Sequence, residues 1–135
     1  MSRVEYLDLD DLLGLIRMLG IGPVRDVGLL DAALARPRSS TFGEDAYPTT
    51  TLKSAALLHS IVNNHALVDG NKRLGWLATV VFLDLKGLYP DLSDGEAFDL
   101  VWEIASTSLD AHAIAVRLQT RMSPGSPGDQ PSFRC

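Results

Sequence analysis

Apolar positions along this 135-residue chain recur mostly at intervals of three and four, the period of a helix with one face in a core. Leu9, Leu12, Leu13, Ile16 and Leu19 predict a first helix over 8–19, capped by Asp8 and broken by Gly20, Gly22 and Pro23. Leu29, Leu30, Ala33 and Leu34 predict a short second helix over 27–36, stopped by Pro37. Residues 37–50 are rich in turn formers and read as an exposed loop or a small hairpin. Thr50 or Thr51 then caps a helix to 64, and its stripe of Leu58, Ile61 and Val62 ends at His65, which is therefore expected at the edge of a buried face. A loop over 66–70 leads to a helix from Asn71 to about Lys86. Leu74, Leu77, Ala78, Val81 and Leu85 lie on its main face, and Trp76, Val80 and Leu83 make its other sides apolar, so it is expected at the centre. Gly87 and Pro90 end it. Ser93-Asp94-Gly95-Glu96 has the form of a capping box opening a helix to 108, with Ala97, Val101, Ile104 and Ser108 on one face. A last helix follows Asp110 and carries Ile114 and Leu118. No stretch alternates as a strand would. The expected fold class is all-α, a compact bundle of about six helices with a small β-hairpin as the one candidate exception. One domain over 1–122 and a disordered Pro/Gly/Ser-rich tail over 123–135 complete the organisation.

Composition narrows the function classes. Apolar residues make up 46% of the chain, enough for a core, and the net charge of −5 argues against a nucleic-acid binder. Cys135 is the single cysteine, so neither an internal disulfide nor a cysteine zinc site is expected. No signal-peptide core stands at the N-terminus, and the longest apolar stretch, Trp76–Leu85, is too short to span a bilayer. A cytoplasmic protein without membrane or direct nucleic-acid contacts is the expectation.

The chemistry is concentrated in nine residues, His65-Ala66-Leu67-Val68-Asp69-Gly70-Asn71-Lys72-Arg73. A helix opening at Asn71 leaves backbone N–H groups without intrahelical partners, and with the helix dipole these favour an anion. Gly70, lacking a Cβ, is expected to let phosphate approach the backbone. The Asn71 amide offers a further donor, Lys72 a compact charge, and Arg73 a planar fork suited to phosphate oxygens. Asp69 beside an anion calls for a cation, which a Mg²⁺ shared with phosphates would satisfy. An imidazole exchanges protons near neutral pH, which suits His65 to general-base work. These parts suit ATP or a similar nucleotide and a hydroxyl that attacks it. Taken singly, each residue also has a plain structural role: a cap, a turn, or a solvated first turn of helix.

The run resembles the signature of the Fic/Doc superfamily: His, any residue, Phe, any residue, Asp or Glu, Gly or Ala, Asn, Gly or Lys, Arg. His65, Asp69, Gly70, Asn71 and Arg73 match it, and Lys72 matches the Doc (death-on-curing) branch, where Lys replaces the Gly of Fic adenylyltransferases. Residues 28–37 and the pair Tyr47-Pro48 are also similar to Doc-type chains, and the resemblance covers roughly residues 5–120. It implies the small Fic fold, with a hairpin flap in the 37–50 segment that aligns the target. It further implies His65 as the base, Asp69 as the Mg²⁺ ligand, and Gly70, Asn71, Lys72 and Arg73 as the anion hole. The implied activity is transfer of the γ-phosphoryl group of ATP to a threonine of elongation factor Tu, which halts translation. A cognate antitoxin that folds a C-terminal segment over the site is the implied partner.

Two positions depart from the pattern. Leu67 stands where the signature has Phe, and Trp76 stands where Fic adenylyltransferases carry a second Arg. Trp76 cannot bind phosphate, which favours the Doc branch. No self-inhibitory helix is present: Ser40 and Glu44 have its spacing, but Asp45 follows them in a loop. The alternatives are AMP transfer of Fic type, a nucleotide- or phosphopeptide-binding module without turnover, and a metal-dependent phosphohydrolase or ribonuclease, the last opposed by a single candidate metal carboxylate. Elsewhere, His59 is expected in or near the core and His112 in solvent. Lys53, Arg36 and Arg38 are expected on the surface, and Trp76 and Trp102 in the core.

Overall fold

The computed structural model describes residues 6–124 and contains six α-helices: α1 (Leu9–Leu19), α2 (Val27–Ala35), α3 (Thr50–Asn64), α4 (Asn71–Leu85), α5 (Asp94–Ser106) and α6 (Ala111–Leu118). Most begin where a side chain satisfies an orphan amide. Asp8 accepts from the Asp11 amide in a full capping box, Asp26 from Leu29, Ser93 from Glu96 in a second box, and Asp110 from Ala113. The cap of α3 is Thr49, one residue before the expected threonines. A short 3-10 turn, Arg36–Arg38, extends α2.

Two apolar clusters form the core, and α3 serves both. Leu57 and Ile61 join Leu12, Ile16, Leu30, Leu74 and Phe82 on one side; Leu58 and Val62 join Leu100, Ile104, Ile114 and Leu118 on the other. The central helix is therefore α3, with α4 packed along it, whereas the sequence points to α4. The outer side of α4 explains the difference: Trp76 and Leu77 line a cleft and Leu85 is exposed. Close packing of α3 on α4 requires Gly75, where a Cβ would lie 2.9 Å from Val62 Cγ2 and 3.2 Å from Leu58 Cδ1. Trp102, expected in the core, is 55% exposed; Leu100 is buried in its place and Ser108 is exposed beyond the end of α5.

Two small antiparallel sheets accompany the helices. Strands β1 (Ser40–Thr41) and β2 (Glu44–Asp45) pair as a hairpin with Thr41 opposite Glu44, turning through Phe42 and Gly43 at φ 52° and 81°. Both central residues have positive φ, as a tight two-residue hairpin turn demands. The second sheet, β3 (Leu88–Pro90) with β4 (Thr120–Met122), was not foreseen, because three-residue strands carry too little periodicity to register. It holds residues 120–122 against the segment that follows α4, and the Ser123 amide still donates to Gly87 O at 2.8 Å. Ordered structure thus continues past 122; the rest of the expected tail, from 125, lies outside the described residues. Among the described residues, no helix is long and apolar enough to cross a membrane.

Candidate functional site

The nine-residue run is the corner between α3 and α4. His65 ends α3 in the left-handed conformation, at φ 54° and ψ 46°. That conformation is unfavourable for a residue with a Cβ and is met mostly where surroundings enforce it. Here the side chain of Arg25 supplies the restraint: its Nε donates to the His65 carbonyl oxygen at 3.1 Å, and one terminal nitrogen donates to the same atom. The His65 residue itself is exposed at the mouth of a cleft, not at the edge of a buried stripe, because the left-handed turn takes it off the face of α3.

A second loop braces the corner. The Arg25 and Asp26 amides donate to Ala66 O, Val68 N donates to Pro23 O, and Gly22 N donates to Asp69 O, so residues 22–26 and 66–69 run as a short ladder around the Val24–Leu67 bridge. Leu67 points inward and is 2% exposed within the α1–α4 core, so a leucine fills the anchor position. Nothing in the sequence marks Arg25 or this ladder; the partners are some forty positions apart and irregular in backbone.

Two of the expected anion-hole residues also have partners within the protein. Gly70 has φ 99°, and a Cβ there would lie 2.6 Å from Ile21 Cβ and 2.8 Å from its Cγ2. The missing side chain makes room for Ile21. The Asn71 carboxamide is engaged on both sides: its Oδ1 accepts from the Leu67 amide and its Nδ2 donates to Leu67 O, each at 3.0 Å. It closes the loop on itself through one of the two N–H groups of its Nδ2. Backbone donors stand beside it. α4 starts at Gly70 without a side-chain cap, so the amides of its first turn have no intrahelical partner.

The charged groups around these amides are loosely held. Asp69 and Arg73 are both strongly exposed and only 4.0 Å apart, a contact too long to fix either. Lys72 Nζ rests over the Trp102 ring, 5.2 Å from its centroid. His65, Asp69, Gly70, Asn71, Lys72 and Arg73 all line one cleft of about 840 Å³, whose opposite wall is α5 with Ala97, Phe98, Val101 and Trp102. That size lies within the range of small-molecule sites. Among the described residues no group of three His, Cys, Asp or Glu side chains gathers to hold a metal. Two carboxylates, Asp69 and Asp94, line the cleft.

The hairpin is fastened by a buried polar network that the sequence placed on the surface. Lys53, 2% exposed, donates from Nζ to Asp45 Oδ2 at 3.0 Å and to Tyr47 O. Arg36 is half-buried and donates to Tyr47 Oη at 2.8 Å, to Ser60 Oγ at 3.1 Å, and to His59 Nδ1 at 2.7 Å. A guanidinium has no acceptor, so His59 Nδ1 must be unprotonated. Burial first, and the Arg36 charge second, hold the His59 pKa below its usual value, with Asp110 opposing. Lys53, in the first turn of α3, and Arg36, at the end of α2, read as surface residues because their partners come from the hairpin segment and from a neighbouring helix, which periodicity does not trace. Arg38 stays at the surface, over the Tyr6 ring, and His112 is exposed.

The sequence pattern of the Fic/DOC family matches residues 6–83. Toxin Doc of Mycolicibacterium smegmatis (strain ATCC 700084 / mc(2)155) is 49% identical over 118 residues, 84% of this chain and 91% of that protein.

Proposed function

This chain belongs to the Fic/DOC family, and from that premise we propose that it is a Doc-like toxin that transfers the γ-phosphoryl group of ATP to a protein hydroxyl. The observation that carries the proposal is the convergence, in one cleft, of His65, the uncapped start of α4 and the side chains of Asp69, Lys72 and Arg73. The free amides of the first α4 turn, with the helix dipole, bind the phosphates. Lys72 and Arg73 add charge, the second N–H of the Asn71 side chain donates to a phosphate oxygen, and Gly70, with no side chain, shapes the loop and lets phosphate approach its backbone. Asp69 would hold Mg²⁺, which when bound neutralises charge on the phosphate oxygens. His65 takes the proton as the target oxygen attacks the γ-phosphorus; the bond to the β–γ bridging oxygen breaks and ADP leaves. Trp76 occupies the wall of the same cleft, and this apolar side chain where an adenylyltransferase has arginine favours phosphoryl over AMP transfer.

The hairpin with Phe42 fully exposed at its tip suits a flap that guides the target segment. The proposed target is elongation factor Tu, by family resemblance, and the proposed partner is a cognate antitoxin. In a bacterial extract with Mg²⁺, label from the γ position of ATP should appear on a protein, and label from the α position should not. His65→Ala should abolish it, a loss of roughly 10²–10⁴ in rate if the base alone is removed. Label from the α position would instead identify an adenylyltransferase; nucleotide binding with neither label transferred would identify a binding module.

A further inference from the structure

Two aromatic side chains of α5 are left open to solvent inside the cleft: Trp102, 55% exposed, and Phe98, 66% exposed. Their rings stack, with centroids 6.1 Å apart and planes 16° from parallel. Exposing two large rings side by side is unfavourable for a surface without an occupant. Lys72 bears on both the rings and the anion site. It stands in the first turn of α4, among the uncapped amides, yet its ammonium lies over the Trp102 ring. The ring is therefore one lysine side chain away from the amides, and a single cation can serve either the ring face or an anion.

A ligand matching this wall has a flat aromatic part at one end and a polyanionic part at the other. We propose that Trp102, backed by Phe98, is the stacking platform for the nucleobase, and that Lys72 exchanges the Trp102 ring for phosphate when the nucleotide enters. A ring face next to fixed anion donors is how proteins hold nucleotides without reading the base edge, since each base presents a π-face. The cation over the ring contributes modestly at an exposed site, so phosphate displaces it readily. The exchange frees the patch of ring under Lys72 when a phosphate is present, coupling base stacking to phosphate binding. This assignment rests on the nucleotide site proposed above and adds a base subsite to it.

Calorimetry on the full chain tests it, with Mg-ATP and Mg-tripolyphosphate as probes of the whole ligand and of its anionic part. Trp102→Ala should weaken ATP roughly tenfold or more, the range of base–aromatic stacking. The same substitution should leave tripolyphosphate binding equal or slightly tighter, since Lys72 then has no ring to leave. Trp102→Phe should keep most of the ATP affinity. Equal ATP affinity in wild type and Trp102→Ala overturns the platform while leaving phosphoryl transfer intact, as does equal weakening of both probes. A wild-type protein that binds neither probe overturns the platform and the nucleotide site together.

Discussion

Gly70→Ala separates two roles for the glycine at the head of α4. From the sequence, the missing Cβ serves a phosphate, and alanine should leave the fold intact while binding fails. In the structure, the missing Cβ serves Ile21. Two costs then add. Gly70 has φ 99°, and an L-residue in the left-handed region costs roughly 1–2 kcal/mol. The added Cβ would also stand 2.6, 2.8 and 2.9 Å from three Ile21 atoms. One of these is the Ile21 Cβ, which cannot swing away without moving its backbone. Overpacking of this kind costs about 1–3 kcal/mol. The total is about 2–5 kcal/mol, a large part of the stability of a domain this size. Urea unfolding followed by circular dichroism reads it directly. With a slope of about 2 kcal/mol/M, the midpoint should fall by about 1–2.5 M. An unchanged midpoint with lost nucleotide binding would refute the packing argument and return Gly70 to the phosphate.

Three further perturbations follow from the same contacts. Arg25→Ala removes the fork on the His65 carbonyl, so γ-phosphoryl transfer should fall in kcat with little change in KM for ATP, and Arg25→Lys, with one point charge, should restore only part; a wild-type kcat for the alanine variant would exclude a positioning role. Lys53→Met leaves Tyr47 O without its buried donor, which should cost about 1–3 kcal/mol and raise hydrogen exchange in the hairpin; an unchanged hairpin would show that Lys53 does not fasten it. His59 is the pH-dependent group: its folded pKa is lowered by burial and then by Arg36. The unfolded chain therefore takes up the proton first as pH falls through the ordinary histidine value of about 6.5. Stability should drop below that pH until the folded pKa is passed. His59→Gln should flatten the drop in urea midpoints measured from neutral to mildly acidic pH, and an identical profile would remove His59 as the cause.

The six helices were legible because each has a periodic apolar face and a polar cap that local sequence displays, as at Asp8, Ser93 and Asp110. The candidate site was legible as a set of residues, since nine consecutive positions carry it. The division of labour within that set was not. Gly70 and Asn71 depend on Ile21 and on the Leu67 backbone, and whether a glycine or an amide serves a ligand or its own loop is decided by three-dimensional neighbours. Lys53 and Trp102 exchanged their expected environments for a similar reason. The hairpin folds over Lys53 and supplies Asp45 and the Tyr47 carbonyl, while α5 stands off from α4 across the cleft and leaves Trp102 facing it. Arg25 gave no signal, because its partner is the carbonyl of a residue forty positions on.

The central claim is that the cleft passes a phosphoryl group, with His65 as base. Intact-mass spectrometry of purified elongation factor Tu, incubated with Mg-ATP and either the wild-type chain or His65→Ala, tests it most directly. A mass gain of one phosphoryl group with wild type, and none with His65→Ala, is expected. A gain of one adenylyl group, or a phosphoryl gain that persists without His65, would contradict it.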